Sequence, residues 1–227
     1  MGALRAINLL QGVEGQTTLG AALETILAGS EAKKAEFGAM LSTRHMARRM
    51  AGNPVTMTAI NASEKAIEIV FENTTELNAE PIKEIAKNAT AMGNTSQVLT
   101  SLHKVIDNDV AFGHYSASAF YEANIINTLT TIIGRDPANY VNISALILDS
   151  AAMGEIATNT RAMKAVVKSS PAMAVVTANS LPMIDLASNN DAMSIVANSD
   201  LSMRLIAQSQ TALDEVTNGA RAIVVGV

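Results

Sequence analysis

Methionines recur at intervals of ten residues in the C-terminal part of the sequence. The series consists of Met153, Met163, Met173, Met183, Met193 and Met203, and Leu213 and Ile223 continue it. Three residues after each of the first seven members stands an aliphatic residue, namely Ile156, Val166, Val176, Leu186, Val196, Ile206 and Val216. A ladder that runs through eight units without a slip indicates a repeat architecture.

A ten-residue period cannot be one continuous helix. Apolar positions at n, n+3 and n+4 share a helix face, but ten residues at about 100° each leave that face about 80° out of register in every unit. The helix must therefore break in each unit. Ser and Asn at the joints are good N-caps, and Pro171 and Pro182 suit a first helical turn.

We therefore predict an all-α fold, a short-helix α-solenoid built on the ten-residue repeat. Helices of about two turns are too short to be stable alone and must stack on their neighbours. The alternative is a β-solenoid with ten residues in each rung. The n, n+3, n+4 spacing and the abundance of alanine favour the helical array.

The composition excludes several classes of protein. Hydrophobic residues make up 48 % and charged residues 16 % of the 227-residue chain, which is too apolar for intrinsic disorder. The absence of cysteine rules out disulfide frameworks and thiolate metal sites. A net charge of −5 gives no basis for general nucleic-acid binding, and no apolar run is long enough to span a membrane.

The repeat divides the chain into four regions. An earlier, less regular block spans 53–94, where Met57, Ile67 and Leu77 are ten apart and the step from Pro81 to Ala91 is shifted by five. The second block spans 150–227. Residues 1–52 form an N-terminal helical attachment region, with helices predicted at 4–10, 18–28, 32–41 and 44–51. The segment 95–149 interrupts the array, with longer helices predicted at 97–106, 116–133 and 137–148.

Aromatic residues and one basic cluster are the candidates for partner contacts. Aromatics are only 3 % of the chain, and five of them lie in the interrupting segment: Phe112, Tyr115, Phe120, Tyr121 and Tyr140. They either fill space where the solenoid is interrupted or anchor another subunit. The basic cluster Arg44, His45, Arg48 and Arg49 is either a solvated helix face or a contact for an acidic neighbouring protein.

Signatures of catalysis are lacking in the sequence. It contains no phosphate-binding loop, no His-Glu-x-x-His and no Gly-x-Ser-x-Gly. Ser101 and Lys104 match Ser-x-x-Lys without a supporting motif, and the 107–109 acidic run lacks the glycine and terminal glutamate of an EF-hand. We predict no catalytic, cofactor-binding or metal site, and we assign the methionines to a core ladder because Met fills irregular gaps.

The repeat unit Ser170-Pro171-Ala172-Met173-Ala174-Val175-Val176-Thr177-Ala178-Asn179-Ser180 resembles repeats of tailed-bacteriophage structural proteins. These are tail-fibre, baseplate and other virion-appendage proteins. The stretch 47–57 is similar to the way such arrays begin, and the resemblance covers about 47–93 and 150–227. It carries no functional residues over, because such repeats define an architecture rather than a site.

The resemblance implies a non-enzymatic virion component that serves as an attachment and spacer scaffold. It further implies assembly in the host cytoplasm, contacts with other virion structural proteins, and several copies in each particle, as a homo-oligomer such as a trimer or a ring. The alternative is an adsorption module that binds host-surface glycan. The absence of Trp disfavours it, and the five clustered aromatics would have to supply the stacking faces.

Overall fold

A computed structural model describes the backbone of residues 16–225 and the side chains of residues 20–219. The described chain is all-α, with short helices and no strand. This confirms the predicted all-α helical repeat. The chain divides into two compact units, Met1–Asn124 and Ile125–Val227.

The N-terminal unit contains nine complete helices among its described residues. They are α1 (Gln16–Ala28), α2 (Glu31–Leu41), α3 (Arg44–Ala51), α4 (Pro54–Asn61), α5 (Glu64–Ile67), α6 (Glu80–Ala86), α7 (Ala89–Ser96), α8 (Leu99–Asp107) and α9 (Asp109–Ser116). A π-helical turn, Glu68–Glu72, extends α5. The next helix, α10 (Tyr121–Ile133), runs across the boundary between the units.

The C-terminal unit continues with a 3₁₀ turn and eight helices. The turn is Pro137–Asn139, and the helices are α11 (Ile143–Ile147), α12 (Ser150–Thr158), α13 (Thr160–Val166), α14 (Ser170–Ala178), α15 (Ser180–Ala187), α16 (Asn190–Ala197), α17 (Asp200–Ala207) and α18 (Gln210–Val225). From α12 to α17, each ten-residue unit of the sequence forms one helix.

Each helix packs against the third helix along the chain. In the C-terminal unit α11 packs on α14, α12 on α15, α13 on α16, α14 on α17 and α15 on α18. In the N-terminal unit the same rule pairs α1 with α4, α3 with α6, α4 with α7 and α6 with α9. Three ten-residue units, about thirty residues, therefore make one turn of the solenoid in both units.

Serine side chains at the corners join successive turns. The hydroxyl of Ser199 donates to the carbonyl of Val167 at 3.1 Å, and Ser209 and Ser118 donate to the carbonyls of Thr177 and Ala86. All three bonds span 32 residues. Each one satisfies a carbonyl at the end of a helix, where no intrahelical donor exists. The shared spacing indicates the same corner geometry in both units.

The joints between helices are set by side-chain caps. Asp149, Asn159, Ser169, Asn189 and Ser199 all have extended backbone and accept from amide groups in the first turn of the helix that follows. An N-cap of this kind contributes about 1 kcal/mol. The predicted break in every unit is thus present, and the predicted residue types make it.

The burial of the methionine ladder shows which way its side chains face. We number the positions of each unit by the last digit of the residue number, so that Met occupies position three. Met153, Met163, Met173 and Met183 are fully buried, Met193 is half-buried, and Met203 and Leu213 are 45 % and 40 % exposed. The core assignment therefore holds for the first four, is partial for Met193 and is wrong for Met203.

The reason for this change lies in the packing of the last turn. Position seven follows the same trend, since Ala157 and Ala187 are buried whereas Ala197 and Ala207 are exposed. Positions two and six stay buried to the end, as at Ala192, Val196, Ala212 and Ile206. Positions three and seven thus face the following turn, and no described helix follows α16, α17 and α18 by three.

Several predicted helices differ from the structure in the interrupting segment. The helix expected at 97–106 is present as α8, but the one expected at 116–133 is two helices, because α9 ends at Ser116 and α10 begins at Tyr121. The helix expected at 137–148 is a 3₁₀ turn followed by α11. Caps at Asn88 and Asn108 continue the ten-residue rhythm beyond the predicted block. The helix expected at 4–10 lies outside the described residues.

An inserted loop explains the shift by five in the first block. After the π-helical turn, residues 73–79 form turns instead of the next helix. The side-chain amide of Asn108 donates to the carbonyls of Glu72 and Thr74 at 2.8 and 2.9 Å, and Asn78 donates to the carbonyl of Asn73 at 3.0 Å. The loop is thereby fixed to the later helices, and Leu77 at its tip is exposed.

The direction of the ladder predicts opposite outcomes for the same substitution in two units. Met173→Asp places a charge in a dry contact between turns and should destabilise the protein by about 3–5 kcal/mol. Met203→Asp occupies the same position in the exposed last turn and should change stability by about 0.5 kcal/mol or less. Thermal unfolding followed by circular dichroism measures both, and equal losses would contradict the assigned direction.

Candidate interaction surfaces

Three of the five candidate aromatics lie in the interior of the N-terminal unit. Tyr115 and Tyr121 are buried, with ring centroids 5.8 Å apart and an interplanar angle of 85°, an edge-to-face pair. Phe112 is buried beside them in sequence on α9. Burial raises the pKa of the Tyr121 hydroxyl well above its usual value. For these three rings the docking interpretation is therefore wrong, because their faces are not available at the surface.

The other two aromatics are half-buried. Phe120 precedes α10, where its amide donates to the Ser118 hydroxyl at 3.1 Å. Tyr140 follows the 3₁₀ turn of the C-terminal unit, where its hydroxyl lies between the Arg135 guanidinium and the Asp149 carboxylate. The sequence segment thus does not bring the five aromatics to one surface.

Arg135 organises a polar cluster that the sequence did not reveal. Its guanidinium donates to both carboxylate oxygens of Glu155, at 2.7 and 3.1 Å, and also to Asp149 at 3.2 Å and to the Tyr140 hydroxyl at 2.9 Å. It follows Gly134, the one described residue with left-handed backbone (φ 72°), which ends α10. The arginine is placed by a helix end and its partners lie 5 to 20 residues away.

The cluster ties the irregular segment 134–149 to the start of the regular array. Asp149 caps α12 through amide bonds to Ala151 and Ala152 while its second oxygen receives Tyr140 and Arg135. The Ala152 amide, and then the tyrosine hydroxyl and the arginine, hold the pKa of Asp149 below its usual value. Every strong donor in the cluster is used by a partner within the chain, so we assign it a structural role.

The basic cluster lies on an exposed helix. Arg44, His45, Arg48 and Arg49 are all exposed on α3, which contains no acidic residue. Arg44 approaches the buried Glu84 of α6 at 3.5 Å, and Lys87 reaches the same carboxylate at 2.7 Å. Within the part of the chain that the structure describes, Arg48 and Arg49 form no ion pair. Their charge is therefore uncompensated at the surface, as a contact for an acidic partner requires.

The last turn of the array presents an apolar surface. Met203 and Leu213 are exposed and Met193 is half-buried, with the exposed small residues Ala197 and Ala207 between them. Contiguous exposed apolar side chains of this kind mark interaction sites more often than isolated ones do. This surface could have been suspected from the sequence only by knowing which ladder positions face the next turn.

A surface cavity of about 320 Å³ lies in the N-terminal unit, beside α2 and the inserted loop. Its lining combines small and apolar residues with Ser42, Asn73 and Asn78. Asn78 is engaged with Thr75 and Asn73 in the turn of the loop. Among the described residues there is no cluster of three or more potential metal ligands, and no described helix is long and apolar enough to cross a bilayer.

Comparison with known proteins gives no relative. No protein-family model, no curated protein and no solved structure matches this chain. The interpretation of its surfaces therefore depends on its own residues and geometry.

The double role of Asp149 can be separated by two substitutions. Asp149→Ala removes both the cap of α12 and the contact with Arg135, and should lower the free energy of unfolding by about 1–2 kcal/mol. Asp149→Asn keeps an oxygen that caps the helix and should lower it by less. Chemical denaturation measures both variants, and equal losses would show that the cap contributes nothing.

The Glu84 carboxylate predicts a dependence of stability on pH. The hydrogen bond from Lys87, assisted by the charge of Arg44, holds its pKa below the usual value. The stabilisation is therefore present above the pKa of the unfolded chain, about 4.3, and is lost as the pH falls through the lower pKa of the folded chain.

We accordingly expect Glu84→Gln to lower the melting temperature at neutral pH, with the difference from wild type narrowing below about pH 4. Glu76→Gln, at an exposed loop position, serves as the matched control and should leave the melting temperature unchanged at both pH values. A difference for Glu84→Gln that stays constant across this pH range would contradict the assigned ion pair.

Proposed function

We propose that this protein is a non-enzymatic structural component of a bacteriophage virion, part of a tail fibre or of a tail or baseplate appendage. In this role it acts as an attachment and spacer scaffold. The observation that carries the proposal is the use of the repeat. Each ten-residue unit is one helix, three units make a turn, and the residues that define the repeat serve to stack one turn on the next.

Such an array suits a spacer because its length follows from the number of repeats and not from a single core. A unit contacts only its near neighbours along the chain, so turns can be added without changing the others. The likeness of the repeat to tailed-phage structural proteins supplies the biological setting. We include assembly in the host cytoplasm, incorporation in several copies, with a trimer or a ring as candidate symmetries, and contacts with other virion structural proteins.

The exposed arginines of α3 support an attachment role for the N-terminal region. Arg48 and Arg49 offer uncompensated charge next to Arg44, and guanidinium groups pair well with carboxylates across protein interfaces. A partner with an acidic surface fits this helix. The overall net charge of −5 favours a protein partner over a nucleic acid.

The alternative, a glycan-binding adsorption module, rests on the aromatic residues. Tyr115 and Tyr121 are buried, so substituting them would test the fold and not sugar binding. Phe120 and Tyr140 remain partly accessible but lie in different units. A glycan array with the intact protein tests this alternative, and specific binding to one sugar would favour it over the scaffold.

The virion proposal is tested on purified particles. We expect the protein to co-purify with intact tailed particles through a density gradient, and quantitative mass spectrometry should find several copies in each particle. A soluble host enzyme measured in the same fractions is the control. Recovery of the protein only in particle-free fractions, or turnover of cell-wall or capsule substrates by the pure protein, would contradict the proposal.

A further inference from the structure

The last turn of the array lacks the cover that every earlier turn has. Met163, Met173 and Met183 are fully buried where the helix three units later packs over them. The residues at position two of the covering helices are mostly alanine, as at Ala192 and Ala212. The array thus specifies what fits over this type of surface: helices that present small side chains between the methionines.

Acidic residues surround the uncovered apolar residues. The helices α16, α17 and α18 carry Asp191, Asp200, Asp214 and Glu215, against the single described cation Arg204. Two such surfaces facing each other would bring like charges together, which is unfavourable. The occupant that fits is therefore basic at its edge and lined by small residues at its centre.

The second and third helices of the same chain have these two properties. Ala32, Ala35 and Ala39 are exposed along α2 at spacings of three and four, so they share one helix face. Beside α2 lies α3, which packs against it and carries the exposed Arg44, Arg48 and Arg49. The exposed Lys33 of α2 adds to the positive charge.

We propose that the last turn of one molecule, α16–α18, binds the α2–α3 surface of a second copy. Met203 and Leu213 pack against the alanines of α2, and the acidic residues around them face the arginines of α3. The two surfaces are different, so the contact is head-to-tail and repeats from copy to copy, giving a ring or an open chain. The inference deepens the scaffold role and rests on it, since it specifies how the copies are joined.

Purified wild-type protein provides the first test. Sedimentation velocity should show an average mass that rises with protein concentration beyond that of a dimer, unless a closed ring of fixed size forms. High ionic strength should weaken the association, because charged edges contribute to it. A wild-type protein that stays monomeric at high micromolar concentration and low salt would overturn the inference.

Two variants, each with one surface disabled, provide the decisive test. Met203→Asp disables the last turn, and Arg48→Glu combined with Arg49→Glu disables α3. Both sets of residues are exposed, so helix content by circular dichroism should not change. Each variant alone should be monomeric, whereas an equimolar mixture should form a one-to-one dimer, because each molecule then contributes its one intact surface.

The remaining outcomes distinguish this contact from others. Leu181→Asp, at a position 67 % exposed on α15, is the matched control and should leave self-association unchanged. If the arginine variant still dimerises alone, the last turn binds itself and the head-to-tail contact is wrong. A failure here would leave the virion proposal open, since co-purification with particles does not depend on which surfaces join the copies.

Discussion

The packing of position three against the following turn is the contact on which the rest of the structure depends. Helices of eight or nine residues are too short to persist alone in water, so each is stable only because another lies over it. Met suits this position because its flexible side chain fills the gap between crossing helices. The small residues at positions two and seven let the backbones approach. This is why a chain so rich in Ala and Met contains so few aromatics.

Caps and corners turn this packing into a regular solenoid. Without a break, a ten-residue unit would rotate its apolar face away from its neighbour. Asn, Asp and Ser at the joints end that rotation by accepting the first amides of the next helix. The corner serines then join each turn to the one before it across 32 residues. Local capping and turn-to-turn bonding thus depend on the same few positions.

The features that can reach a partner are found where the regular array is interrupted or left uncovered. The arginines of α3 lie before the first regular block, and the exposed methionine and leucine lie in its last turn. In between, side chains of the repeat are used by neighbouring turns. The Arg135 cluster shows the contrast, because it is rich in charge yet its strong donors are engaged within the chain.

The sequence by itself determined the helical class, the ten-residue unit, the breaks at Asn and Ser, and the exposure of Arg48 and Arg49, because periodicity and capping are local properties. It could not determine that three units make one turn, since that depends on helix crossing in space. Only the tertiary structure decided that Tyr115 and Tyr121 are core residues and that Met203 is exposed although Met173 is buried. The two methionines occupy identical positions in the repeat, and they differ because one has a helix packed over it and the other does not.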